Sequence, residues 1–282
     1  MKKIKYFLLT KSVGLYLNLL SFVAPKKAAL FAYRIFSEPR IGRLTKETLP
    51  QILNEATPET FHHKGEFFET YTWKGNSKVI LLVHGWESNA SRWEKMIPYL
   101  KKTGNTIVAI DGPAHGLSGG KEFNVVKYAE FIDVAAQKYK PAFLIGHSLG
   151  GAACVYYQSA YQNEDIQKMI VLGAPSDLEV LIQNYAKLLS LNSRMVTLLE
   201  HYFIDRFKFR LADFSGRLFG SKLKLKGIIA HDVDDTVVAF GESKKIAESW
   251  KDALFIETKG LGHSMHDDAL YNKLVAFLRE EH

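Results

Sequence analysis

The chain has 282 residues, 47% of them hydrophobic, enough to bury one large core within a single domain. Its one cysteine, Cys154, excludes an internal disulfide and a Cys/His metal framework, and leans towards a reducing cytoplasm. The formal charge of +7 and pI of about 9.2 come from lysines scattered at 26–27, 101–102, 222–226 and 244–245. No aromatic residues interleave with them as a basic stripe, so the reading is a solvated basic surface and no nucleic-acid partner.

In chain order, Tyr6 to Ala24 is almost continuously apolar behind Lys2, Lys3 and Lys5. A transmembrane span needs roughly 20 predominantly apolar residues, so this stretch is marginal. Lys11, Gly14, Asn18 and Ser21 recur at spacings of three and four and form one narrow polar stripe. Phe22-Val23-Ala24 lacks the small residue that signal cleavage requires, and Pro25 follows at once. The expectation is an amphipathic helix over about Ile4 to Val23, retained in the mature chain. It packs on the body or makes peripheral contact with a membrane at the inner face, where lysines favour anionic headgroups. A spanning anchor and a cleaved signal are the competing readings. Residues 1–40 are therefore set apart from a domain over 41–282.

Residues 59–75 alternate aromatic and polar side chains (Phe61, Phe67, Phe68, Tyr71, Trp73) and read as an antiparallel hairpin. From 78 to 175 strands and helices alternate: strands Lys78–His84, Thr106–Ile110, Phe143–Gly146 and Lys168–Leu172, and helices Ser91–Lys102, Val125–Tyr139 and Gly150–Tyr161. This rhythm implies an α/β fold with a mostly parallel central sheet and helices on both faces. Residues 176–222 break it with leucines, Tyr202 and Phe203 but no strand, and predict a helical insertion over about 177–222. Strand-like runs return at Leu225–Ala230 and Ala253–Thr258, before an amphipathic helix from roughly Asp267 to Glu281.

Gly146-His147-Ser148-Leu149-Gly150 reads G-x-S-x-G between a strand and a helix, the setting of a nucleophile elbow. The turn strains the serine backbone, so its neighbours must be small. It also places the serine near a helix N-terminus that favours developing negative charge. A later strand should then carry an acid, and the last one a histidine. His231-Asp232-Val233-Asp234-Asp235-Thr236-Val237-Val238 and Gly262-His263 supply them in that order. His263 suits a proton shuttle at neutral pH. Its acid partner is one of Asp232, Asp234 and Asp235. His266 competes less well with His263 because it lacks the preceding glycine.

With these pieces in place, the chain resembles the α/β-hydrolase fold family. The matching motifs are His84-Gly85-Trp86, Asp111 to Ser118, Gly146 to Gly151, Asp232 to Val238 and Gly262-His263, collinear across residues 78–282. The resemblance implies a cap domain within the insertion and a Ser148-Asp235-His263 triad. The family pattern G-x-x-D-x-x-V selects Asp235 over Asp234, although Asp232 stands where the pattern has glycine. It also implies an oxyanion hole from the backbone N–H groups of Trp86 and Leu149.

Serine at the elbow, where relatives attacking alkyl carbon carry aspartate, favours acyl transfer. The expected function is a serine hydrolase of carboxylic esters, thioesters or lysophospholipids, acting on a small-molecule acyl substrate. A carbon–carbon bond hydrolase, an acyltransferase and a non-catalytic binding protein are the alternatives. No cofactor is expected, because neither Asp111-Gly112 nor Gly119-Gly120 opens a phosphate cradle. His147, His84 and the Asp111–Gly116 loop are read as structural, and Cys154 as buried and inert.

Overall fold

The computed structural model describes residues 2–280. In chain order the elements are α1 (Lys2–Val23), α2 (Pro25–Ser37), α3 (Gln51–Asn54), β1 (Thr57–His63), β2 (Glu66–Trp73), β3 (Asn76–Val83), α4 (Ile97–Lys101), β4 (Asn105–Ile110), α5 (Val125–Tyr139), β5 (Phe143–His147), α6 (Leu149–Tyr161), β6 (Lys168–Leu172), α7 (Leu178–Leu189), α8 (Ser193–Phe207), α9 (Gly216–Gly220), β7 (Lys226–Asp232), α10 (Phe240–Ser249), β8 (Ala253–Thr258) and α11 (Asp268–Arg279). They divide into two compact units, residues 39–176 with 216–282 and residues 1–38 with 177–215. Glu281 and His282 lie outside the described residues.

The larger unit is built on an eight-stranded sheet in the order β1-β2-β4-β3-β5-β6-β7-β8. The hairpin β1–β2 and the β2–β4 pair are antiparallel, and every later neighbour is parallel. The hairpin turns on Lys64 and Gly65, both at positive φ (48° and 80°). A two-residue turn of this hand matches the right-handed twist of the strands it joins. Parallel strands buried on both faces must be apolar at every position, and side-chain alternation then divides them between two cores. Ile80, Leu82, Ile145, Ile170 and Ile228 face one core with Trp93, Leu100 and Leu274. Leu81, Val83, Leu144, Val171 and Ile229 face the other with Phe131, Tyr157 and Trp250. Fully burying such a side chain contributes roughly 1.5–3 kcal/mol. Lys168 is also buried on β6; its Nζ donates to the carbonyls of Phe277 (2.6 Å) and Glu280 (2.7 Å) and so caps α11.

The helix expected over 91–102 is instead a 3₁₀ segment, Ala90–Lys95, followed by α4. Pro98 has no N–H for the preceding turn, so a single long helix cannot run through it. The expectations also lacked α2 and α10. Pro25, which the sequence sets against signal cleavage, begins α2 at its first position.

The smaller unit brings α1 and α2 together with α7 and α8 around Leu17, Ala28, Ala32, Tyr33, Ile182, Met195, Leu199 and Phe203. The first 38 residues and the insertion thus share one core, where the sequence suggested a separate segment. The sequence pattern groups residues 216–222 with the insertion, but α9 packs in the larger unit: a methyl group on Gly216 would lie 2.7 Å from Ile246 Cγ1, and Phe219 meets the ring of Tyr156 at 5.2 Å.

Candidate active site

The turn between β5 and α6 puts Ser148 at φ 54°, ψ −129°. A non-glycine residue held in such a region costs of order 1–3 kcal/mol, and the surroundings must enforce it. They do so by close approach. A methyl group on Gly150 would lie 2.2 Å from the His84 carbonyl oxygen, and one on Gly146 would lie 2.6 Å from Gly151 Cα. The strand and helix could not meet with any larger side chain at either position. The Ser148 N–H donates to the Leu172 carbonyl at 2.8 Å, tying the turn to β6.

Ser148 Oγ lies 3.0 Å from His263 Nε2, and His263 Nδ1 lies 2.7 Å from Asp235 Oδ2. The three side chains therefore form one hydrogen-bonded chain. Asp235 Oδ1 accepts the N–H groups of Val237 (2.8 Å) and Val238 (3.0 Å). Burial alone would raise this carboxyl; the hydrogen bonds from His263 and those two backbone groups outweigh it and hold the carboxyl below its ordinary range. Asp234 turns elsewhere, with Oδ2 accepting the Gly260 N–H at 3.1 Å. Asp232 accepts from Asp234 N, Thr258 Oγ1 and Leu261 N, and so joins the β7 end to the loop that carries His263.

One further residue meets the acid. His231 Nε2 lies 3.1 Å from both Asp235 Oδ2 and the Val238 carbonyl, two acceptors, so this nitrogen carries the proton. Burial lowers its pKa and keeps the ring neutral. Its Nδ1 then has no hydrogen-bond partner among the described residues. The sequence placed His231 only at a strand end. Its spacing of four from Asp235 was visible, but the turn that folds one back onto the other was not.

Gly85 lies against the serine: a methyl group there would sit 2.7 Å from Ser148 Cβ. Trp86 follows it, half-buried, with its ring 5.5 Å from Phe123 and 5.6 Å from His115. Leu149 is the first residue of α6. Two buried histidines brace the Trp86 loop. His84 Nδ1 donates to the Gly85 carbonyl (2.7 Å) while Nε2 accepts the Gly112 N–H (2.8 Å). His115 Nδ1 donates to the Pro113 carbonyl while Nε2 accepts the Glu87 N–H, both at 2.8 Å. Burial holds His84 well below its usual pKa and lowers His115 to about 4, so both stay neutral.

Asp111 is the hub beneath this loop, accepting from Ala90 N, Leu117 N and Tyr71 Oη; burial pushes its carboxyl up to about 6. His266 Nδ1 meets Tyr271 Oη at 2.5 Å, away from the serine. Cys154 is buried at the elbow helix. Among the described residues, no group of three or more His, Cys, Asp or Glu side chains is placed to hold a metal ion.

Comparison with known proteins bears on the fold and the family. A monoacylglycerol lipase from Mycolicibacterium smegmatis is 29% identical over 107 residues, 35% of this chain and 38% of that protein. A bifunctional esterase/perhydrolase from Acinetobacter calcoaceticus is 32% identical over 113 residues, 37% of this chain and 40% of that protein. The matches thus span about two fifths of these relatives' length. Among solved structures, a bromoperoxidase from Bacillus anthracis superposes with a TM-score of 0.62 at 18% identity, over 79% of this chain and 100% of that one. Alpha/beta hydrolase domain-containing protein 10 from mouse gives 0.61 at 17% identity, over 79% and 97%. The family model described as the alpha/beta hydrolase fold matches residues 78–227, more than half of the chain, so the protein belongs to the α/β-hydrolase fold family.

Proposed function

We propose that the protein is a serine hydrolase that cleaves carboxylic esters, thioesters or lysophospholipids through an acyl-enzyme on Ser148. The observation that carries this reading is the hydrogen-bonded chain from Ser148 Oγ through His263 to Asp235, set at a strained elbow. Serine is a poor nucleophile unless a base takes its proton in the transition state. His263 Nε2 is in reach to take it as Oγ bonds to the acyl carbon, and can then pass it to the leaving alkoxide or thiolate. A water enters by the same route in reverse and releases the acid. Asp235 fixes the tautomer with Nδ1 protonated and stabilises the imidazolium that forms. His231 and two backbone N–H groups keep that carboxylate in place.

The tetrahedral oxyanion needs donors aimed at it before it forms. The N–H of Leu149, at the start of α6, and the N–H of Trp86, directly after the glycine that touches Ser148, take that role. The names of the lipase and the esterase among the relatives support the same reaction class.

A fluorophosphonate probe tests the reading. It should label the wild-type protein once and leave Ser148→Ala unlabelled. Wild-type rates of p-nitrophenyl butyrate hydrolysis by Ser148→Ala would overturn it.

A further inference from the structure

The polar stripe of α1 faces inward and its apolar side faces out. Lys11 Nζ donates to the Leu188 carbonyl (3.0 Å) and to Ser190 Oγ (2.8 Å), where α7 ends. Asn18 Nδ2 donates to the Ser190 carbonyl (2.9 Å), and its Oδ1 accepts the Asn192 N–H (2.9 Å). Gly14 packs so closely that a methyl group would overlap the Leu189 carbonyl. These groups cap the last carbonyls of α7, where a cation is favoured. The helix is thereby fixed with Leu8, Leu15, Tyr16, Leu19 and Phe22 each more than half exposed. Phe31 of α2 extends the face and meets Tyr16 edge-on at 6.0 Å. Ile4–Val23 is long and apolar enough to cross a membrane, yet only 22% of it is buried, far less than a soluble core helix. Exposed Lys5, Lys26 and Lys27 stand at the two ends of α1.

We propose that this α1–α2 face docks the protein in the plane of an anionic lipid bilayer. A contiguous apolar surface of this kind on a soluble chain marks an interaction site. The cations at its margins match anionic headgroups. Because Lys11 and Asn18 are engaged with α7 and the α7–α8 turn, the helix lies along the interface and does not cross it. The proposal is independent of the hydrolase reading.

Flotation of the purified full-length chain with vesicles tests it, comparing phosphatidylcholine alone with phosphatidylcholine plus phosphatidylglycerol. The wild type and Ser148→Ala should float equally with the anionic vesicles. Leu15→Asp combined with Leu19→Asp should cut the bound fraction by roughly tenfold while keeping the circular dichroism of the wild type, since both side chains are exposed. Lys26→Glu with Lys27→Glu should weaken binding to anionic vesicles only. In cells, a carbonate wash should release the protein. Absence of flotation, unchanged binding by the Leu15/Leu19 variant, resistance to carbonate, a mature chain beginning near Lys26, or a dimer that hides this face would each overturn the proposal.

Discussion

His147 Nε2 donates to the backbone carbonyl of His263 at 2.7 Å, so the residue preceding the elbow serine holds the loop that presents the histidine to it. The two rings also lie 4.8 Å apart. Burial keeps His147 far below its usual pKa, and the ring acts as a neutral donor. Removing the donor while keeping an aromatic ring, as in His147→Phe, should lower kcat for p-nitrophenyl butyrate about tenfold with KM unchanged, a loss of about 1.4 kcal/mol in the transition state. His147→Gln restores an N–H at the same reach and should recover part of the rate. Wild-type kcat in His147→Phe would remove the positioning role.

Ser148→Ala or His263→Ala should leave the fold intact and reduce ester turnover by several orders of magnitude, because such groups act as a unit. Asp235→Asn should cost on the order of 10⁴ in kcat, since the amide favours the wrong tautomer. Asp234→Asn should cost no more than a few-fold, because its carboxylate accepts only from Gly260 among the hydrogen bonds described. Steady-state kinetics on the four purified variants distinguishes these outcomes.

Gly150→Ala should destabilise the protein by about 3 kcal/mol or more, because the new methyl group meets the His84 and Val83 carbonyl oxygens at 2.2 and 2.3 Å and the β3 backbone cannot retreat. Gly241→Ala is the matching control. It lies in α10 with nothing within 4 Å of the added methyl group. It should raise stability by about 0.5–1 kcal/mol. Urea denaturation of both variants gives the comparison.

Stability should fall on acidification from about pH 6.5 to 4. His84, His115, His147, His231 and His266 all have pKa values lowered chiefly by burial, His115 and His266 to about 4. Over that window the unfolded chain binds protons that the folded chain refuses, so acid favours unfolding. Asp111 acts in the opposite sense: its carboxyl, raised to about 6, stays protonated in the fold after it has ionised in the unfolded chain, and that contribution is lost as pH rises from about 4 to 6. Five histidines against one raised carboxyl leave a net loss on acidification. A tenfold change in proton affinity is worth about 1.4 kcal/mol, so His115 alone supplies on the order of 3 kcal/mol of the slope. Thermal melts across this range should show the fall, and His115→Gln should flatten it.

The elbow was legible because the backbone path demands small residues at Gly146 and Gly150 whatever the substrate. The parallel strands were legible because burial on both faces leaves only continuous apolar runs. Asp235 was separated from Asp234 by the position of Val238, whose N–H is one of the groups the carboxylate accepts. His231 was not legible as its neighbour, because that contact depends on a turn and not on a pattern. In α1, periodicity revealed a polar stripe but not its direction. A helix with two unlike faces does not state which face its partners take, and here the polar one is covered because the exposed carbonyls of α7 need donors.

The shared core of residues 1–38 and 177–215 has a consequence for synthesis. The first helices emerge from the ribosome well before the residues that complete their unit, with all of 39–176 still to be translated. At roughly 5–20 residues per second, that interval is on the order of ten seconds. Throughout it Lys11 and Asn18 have no α7 to bond, and the leucines of α1 are open to whatever meets a nascent chain first. The order of translation thus gives targeting factors and chaperones access to this helix before its own partners exist.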